Sequence, residues 1–285
     1  MTAQTPIRDD IRQRLQSLNS LHTQPTAIAK ITQMLQNPAT NADELGKAIR
    51  TDQVLASSVL KLVNSAFYGF PGKISSISHA VVLLGFSTVK NIVLTASVHE
   101  IFKMDSMGGK FKMESIWEHS LACGVAAQCL AHAVGYENKE ECFVAGLLHD
   151  IGKVITFQLA PKDFMRVIDG ADKTKTLFYE SECKLLSINH QEVGGTLIDQ
   201  WRLPSQIHRA VSSHHNPPPS AESKLTAIVH CADIFARALG YGNGGDGKIP
   251  MISNNAWEML QLDGIDLVHL FDNMEKEWDK AGTYL

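Results

Sequence analysis

Residues 145–153 read Ala-Gly-Leu-Leu-His-Asp-Ile-Gly-Lys, an apolar run with a histidine and an aspartate at its centre. A run this apolar belongs in an interior, and burying a carboxylate without a partner costs several kcal/mol. The chain must therefore fold so that compensating groups, or a shared cation, reach Asp150. Five further candidates flank the pair: His119 before it, and His190, His214, His215 and Asp233 after it. Neutral imidazole and ionised carboxylate are the ligands of divalent transition metals. Taken singly, each residue has a plainer explanation. A lone helical histidine is more often a hydrogen-bonded core residue, and His190 suits a first helical turn. Asp233 could pair with Arg237 one turn on, and Lys153 could lie on a solvated face. The joint order H…HD…H…HH…D is what packing alone does not explain. His79, His99, His132, His208, His230 and His269 fall outside it and read as structural.

Local signals predict helix nearly throughout. Pro25 suits a first helical position ahead of Ile28, Ile31, Met34 and Leu35. Asn41 with Glu44 has capping-box spacing, as has Asn189 with Glu192, and Asp52 can cap a helix carrying Leu55, Val59 and Val63. Ser78 and Ser87 open two apolar helices separated by Gly85. Breaks at Pro38, Pro71, Gly85 and the Gly69–Gly72 turn exclude long coiled-coil helices. Further helices are expected at about 113–134, 138–151, 153–159, 161–170, 176–187, 190–200, 204–215 and 222–239. Pro204 suits a first turn, and Pro217-Pro218-Pro219 forbids continuation past His215 or Asn216.

The expected fold is all-α. A helical extension (1–19) and a lobe of short helices (20–103) lead through a linker containing Gly108-Gly109 to a metal-site lobe (113–240), and C-terminal helices (248–285) pack on the core. Val81-Val82-Leu83-Leu84 is more than a short helix can bury by itself, so the two lobes are expected to be inseparable in stability. The loop Gly242-Asn243-Gly244-Gly245-Asp246-Gly247 lacks the Lys-Ser/Thr of a phosphate-binding loop and reads as a flexible surface connector.

Composition sets the exclusions. A formal charge of −4 over 285 residues argues against general nucleic-acid binding. No apolar run approaches the ~20 residues needed to span a bilayer, and Met1 to Asp10 lacks the apolar core of a signal peptide. The cysteines Cys123, Cys129, Cys142, Cys183 and Cys231 form no CxxC pair and read as reduced residues of a cytoplasmic protein.

Gly146-Leu147-Leu148-His149-Asp150-Ile151-Gly152-Lys153 resembles the signature of the HD superfamily of metal-dependent phosphohydrolases. Asp52-Gln53-Val54-Leu55, Leu60 to Gly69, Ile77 to Gly85, His190-Gln191-Glu192-Val193-Gly194, Trp201-Arg202-Leu203-Pro204 and His214-His215 are similar to one branch of it, the HDOD (HD-related output) domain. The resemblance covers about residues 20 to 240 and implies an all-helical fold with a role in bacterial signalling. Many such domains have lost metal ligands. This chain keeps positions matching the fuller set of the related HD-GYP phosphodiesterases. The resemblance implies one ion held by His119, His149, Asp150 and Asp233, and a second held by Asp150 as a bridge with His190, His214 and His215. Lys153 matches a phosphate-contacting lysine and is expected at the pocket mouth. Two departures stand out. Asn216-Pro217-Pro218-Pro219 replaces the Gly-Tyr-Pro segment, which argues against cyclic-di-GMP hydrolysis. Ser115 stands where trinuclear members are acidic, so two ions are the expected maximum.

Two functions follow. One is a metal-dependent phosphohydrolase or phosphodiesterase using Lys153 and Asp150, acting on a phosphorylated small molecule or nucleotide. It would use iron or manganese on family grounds, with zinc or nickel also suited to mixed N/O ligands. The other is a regulatory module that binds signalling proteins and whose metal site is structural or sensory.

Overall fold

The computed structural model describes residues 7–17, 31, 33–34, 37, 39–65, 67–69, 73–102 and 112–281. Among them there is no strand, as the sequence predicts. In chain order the helices are α1 (Ile7–Ser17), α2 (Ala42–Arg50), α3 (Gln53–Val63), α4 (Ile77–Phe102), α5 (Met113–Ala133), α6 (Lys139–Leu148) and α7 (Ile151–Leu159). They continue with α8 (Pro161–Thr174), α9 (Phe178–Leu186), α10 (His190–Gln200), α11 (Ser205–Ser213), α12 (Lys224–Ala238), α13 (Asn254–Leu260) and α14 (Leu267–Ala281). The expected starts at Pro25 and Ile28, the breaks at Pro38 and Pro71, most of the Gly69–Gly72 turn and the Gly108-Gly109 linker lie outside the described residues.

Local chemistry sets the helix ends. The Asn41–Glu44 capping box closes α2, with Glu44 N donating to Asn41 Oδ1 at 3.0 Å and Asn41 N to Glu44 Oε2 at 3.2 Å. Asp52 Oδ1 accepts from Leu55 N to start α3. Gly85, at φ 82°, breaks α4 into two segments where the sequence predicts the division. At α10 only half of the expected box forms. Asn189 accepts from Glu192 N, while the Glu192 carboxylate turns outward to Arg12 and Arg8 of α1.

One core holds Leu45, Ile49, Leu55, Val59, Ile77, Val81, Val89, Ile92 and Val93 of α2–α4. On the other side of α4, Leu94, Val98 and Phe102 join Ile116, Trp117, Leu121, Phe143 and Leu147 in a larger core built with α5 and α6. The two cores therefore meet along the second half of α4. This differs from the expectation for Val81–Leu84: Val82 is 76% and Leu83 40% exposed, because both sit beside the Gly85 kink and turn away from both cores. A third cluster sets Leu260, Leu270 and Met274 of α13 and α14 against Leu130, Ile228 and Phe235.

Two helical stretches, Ile77–Phe102 and Lys139–Leu159, are long and apolar enough to cross a membrane, contrary to the sequence reading. The second is broken at residues 149–150 and is 94% buried inside the protein, so core packing accounts for it. The cysteines are free; Cys123, Cys142 and Cys231 are buried and Cys183 is exposed.

Candidate metal centre

Helix α6 ends at Leu148 and α7 begins at Ile151, so His149 and Asp150 form the turn between them rather than lying within one helix. That break aims the two side chains into one space, which His119 of α5 and Asp233 of α12 enter from another side. His190 opens α10. His214 and His215 follow the end of α11, where the chain turns before Pro217. His119, His149, Asp150, His190 and His214 are fully buried.

Asp150 divides the site. Its Oδ2 lies 3.2 Å from His149 Nε2 and 3.7 Å from His119 Nε2. Its Oδ1 lies 3.3 Å from His190 Nε2 and 3.9 Å from His214 Nε2. Asp233 Oδ1 faces the first pair, 3.0 Å from His119 Nε2 and 3.8 Å from His149 Nε2. His215 Nε2 is 3.0 Å from His190 Nε2, which is 3.3 Å from His214 Nε2. The donor atoms of His119, His149 and Asp150, and separately those of His190, His214 and His215, cluster closely enough to hold one ion each. All seven sequence-predicted ligands thus converge.

The protonation pattern fits divalent ions. His149 Nδ1 donates to Gly146 O at 2.7 Å and His214 Nδ1 to Val211 O at 2.9 Å, which turns each Nε2 toward the site. His190 Nδ1 pairs with buried Glu182, which also accepts from His190 N at 3.1 Å. Burial pushes Glu182 up and His190 down. Burial also lowers His119 and His215, and takes His214 to about 3. Burial opposes ionisation of Asp150 and Asp233 too. His149 and Lys153 nonetheless hold Asp150 well below the usual carboxylate range, and Arg237 and His119 do the same for Asp233. His149 is the exception: burial disfavours its charge, but Asp150 raises it. Among the described residues, buried His119 Nε2, His149 Nε2 and Asp150 Oδ1 have no hydrogen-bond partner. Such orphaned, convergent acceptors are what a cation satisfies.

Lys153 does not stand at a pocket mouth. It is fully buried, donating to Asp150 Oδ2 and Gly244 O at 2.6 Å each, with Nζ 5.2 Å from the centre of the Phe178 ring. With the helix break at 149–150, Lys153 falls on the third residue of α7, one turn from Asp150 and under the glycine loop. That loop is not a free connector. Asn243 N donates to Ser115 O, and Gly242, at φ 64°, leaves no room for a Cβ against the His119 backbone. Asp246 accepts from Phe178 N and from Arg237, and Arg237 Nε donates to Asp233 Oδ1 at 2.7 Å. The Asp233–Arg237 pair read from helical spacing is therefore real, and it coexists with the approach to His119.

Three supporting residues escape a sequence search for ligands. Glu182 holds His190. Gln191, with its amide oxygen turned inward, accepts from the backbone N–H groups of Ser213, His214 and His215 and so fixes the turn carrying two histidines. His230, read as structural, donates to His214 O at 2.7 Å and accepts from Ser253 N. Only the proximity of Gln191 to His190 in sequence could have hinted at these roles.

A surface pocket of about 410 Å³ reaches the cluster at His215 and Asp233, walled by Tyr179, Ile234, Pro250 and the exposed Met251. The sequence model of the HDOD domain matches residues 21–217. The chain belongs to the HDOD family. In fold, this HDOD protein is similar to an HDOD domain protein of unknown function from Geobacter sulfurreducens (26% identity, TM-score 0.79, 97% of each chain covered). It is also similar in fold to a candidate phosphohydrolase from Shewanella amazonensis SB2B (24% identity, TM-score 0.73, covering 97% of this chain and 98% of that one). An uncharacterised protein of Treponema pallidum (strain Nichols) is 24% identical over 252 residues, 87% of this chain and 47% of that protein. The HDOD chain thus spans about half the length of this curated relative.

Proposed function

We propose that this HDOD protein is a metal-dependent phosphohydrolase or phosphodiesterase whose centre holds two divalent ions. The observation carrying the reading is Asp150, whose two oxygens face two separate sets of imidazoles. His119, His149, Asp150 and Asp233 would hold one ion, and Asp150, His190, His214 and His215 the other. Iron or manganese, and also zinc or nickel, suit these ligands. Bound there, the ions would supply Lewis-acid polarisation of a phosphoryl group and lower the pKa of water toward neutrality.

The chain's own residues do the positioning. Glu182 and the carbonyls of Gly146 and Val211 fix the ring tautomers, and Gln191 fixes the turn that carries His214 and His215. Tyr179 and Met251 wall the approach, and its lining has no lysine or arginine among the described residues. The charge of an entering phosphoryl group is therefore met at the ligand cluster. Lys153 secures Asp150 and holds the glycine loop through Gly244 O.

The test is metal analysis of protein purified without chelator, followed by a screen of phosphomonoesters, nucleotides and cyclic dinucleotides with Lys153→Ala and His215→Ala alongside. Lys153→Ala should keep metal and lose roughly 2–4 kcal/mol of transition-state stabilisation. His215→Ala should lose activity that excess metal partly restores. A fully loaded wild type inert toward every substrate would refute the enzymatic reading. One observation favours a second reading, a regulatory module for signalling proteins: Val82, Leu83 and Phe86 form an exposed apolar group beside the Gly85 kink.

A further inference from the structure

The two halves of the centre are not equivalent. In the His119–His149 half, both carboxylate oxygens that face the imidazoles already accept from buried cations. Lys153 Nζ donates to Asp150 Oδ2 at 2.6 Å, and Arg237 Nε donates to Asp233 Oδ1 at 2.7 Å. In the other half Asp150 Oδ1 has no hydrogen-bond partner among the described residues, and His190 Nε2 and His214 Nε2 face each other at 3.3 Å. The same two cations also hold the glycine loop. Lys153 donates to Gly244 O at 2.6 Å, and Arg237 Nη1 lies 3.3 Å from both Asp246 Oδ1 and Lys248 O. The loop is thereby tied through Lys153 to one ligand carboxylate and through Arg237 to another.

We propose that residues 242–248 form a latch coupled to metal loading. The His190–His214–His215 half is filled with the latch closed, and before the His119–His149 half is filled Lys153 must leave Asp150 Oδ2 and Arg237 must leave Asp233 Oδ1, loosening their holds on the loop. The reason is charge. A cationic side chain and a divalent ion on the same carboxylate oxygen repel strongly where water cannot screen them. Lys153 has nowhere to retreat while Gly244 O and the Phe178 face hold it. The inference rests on the two-ion reading above. Linkage makes it testable from both sides: if filling the second half opens the loop, loosening the loop must tighten that half by the same factor.

The experiment is amide hydrogen exchange of residues 242–248 in the full chain, stripped of metal and titrated with Mn(II), alongside Mn(II) binding isotherms. The first equivalent should leave loop exchange unchanged, and the second should speed it about tenfold. Lys153→Met should exchange rapidly throughout and bind the second equivalent about tenfold more tightly. Asp246→Asn, which unties the loop without touching Asp150, should tighten the second equivalent by the factor by which it speeds the loop; it carries the test if Lys153→Met does not fold. Saturation with Mn(II) at unchanged loop exchange would overturn the latch while leaving the metal reading intact, as would a loosened loop with an unmoved second binding midpoint. Failure of the wild type to bind Mn(II) would sink both, and full loading with an opened loop but no turnover would sink only the enzymatic reading.

Discussion

The approach of α7 to α10 sets the distance between Asp150 and His190, and Gly152→Ala tests it directly. A Cβ on Gly152 would lie 2.0 Å from His190 O and 2.8 Å from Gly194 N, both backbone atoms that cannot swing aside. Real Cβ atoms essentially never come closer than 3.0 Å, so the two helices must separate by about 1 Å. Overpacking of this kind typically costs about 1–3 kcal/mol. At about 2–4 °C per kcal/mol for a large domain, the melting temperature should fall by roughly 2–12 °C. The same shift would carry His190 Nε2 away from Asp150 Oδ1, now 3.3 Å apart, while an ion shared between them needs each ligand at about 2 Å. Calorimetry together with Mn(II) binding reads both effects, and affinity in the His190 half should drop with stability. Gly170→Ala is the matched control. Its new Cβ comes closest to the flexible tip of Leu185, at 2.9 Å, and mid-helix alanine gains up to about 1 kcal/mol, so that variant should melt at or above wild type. A Gly152→Ala variant that melts with the wild type and binds Mn(II) unchanged would refute the close approach of α7 to α10.

Asp150→Ala should bind neither ion and, with Lys153 left buried and unpaired, lose about 3–5 kcal/mol of stability; Asp150→Ala/Lys153→Met should recover much of the stability and none of the metal, as read by melting and elemental analysis. Glu182→Gln should keep the fold and weaken the His190 half about 10- to 100-fold in binding isotherms; equal affinity would show that Glu182 does not support His190. Residues 1–108 alone should be poorly soluble because Leu94, Val98 and Phe102 lose the core they share with Trp117 and Phe143; a monomeric fragment that melts cooperatively would show the lobes to be independent.

Much of this protein was legible along the chain because the signals are local. A cap is a side chain and an amide three residues apart, and a helix end is a proline or glycine within a turn. So the Asn41 box, the Asp52 cap, the Gly85 break and the end of α11 before Pro217 could be read without a neighbour in space. The seven ligands could be picked out for a different reason: histidines and aspartates inside apolar helices are costly unless something joins them. Whether they meet, and which oxygen of Asp150 faces which histidine, is decided by how α5, α6, α7, α10, α11 and α12 pack. The reading failed where a side chain's partner is distant in sequence. Lys153 answers to Gly244, 91 residues on, and the glycine loop looked free because Ser115 and Phe178, which receive it, lie far back along the chain, while Arg237 read only as a partner of Asp233. Glu182 likewise looks like an ordinary surface acid of α9 until the fold buries it against His190. Helical periodicity carries information over a few residues; the direction of a buried charge is set by whichever distant backbone and counter-charge the tertiary structure brings to it.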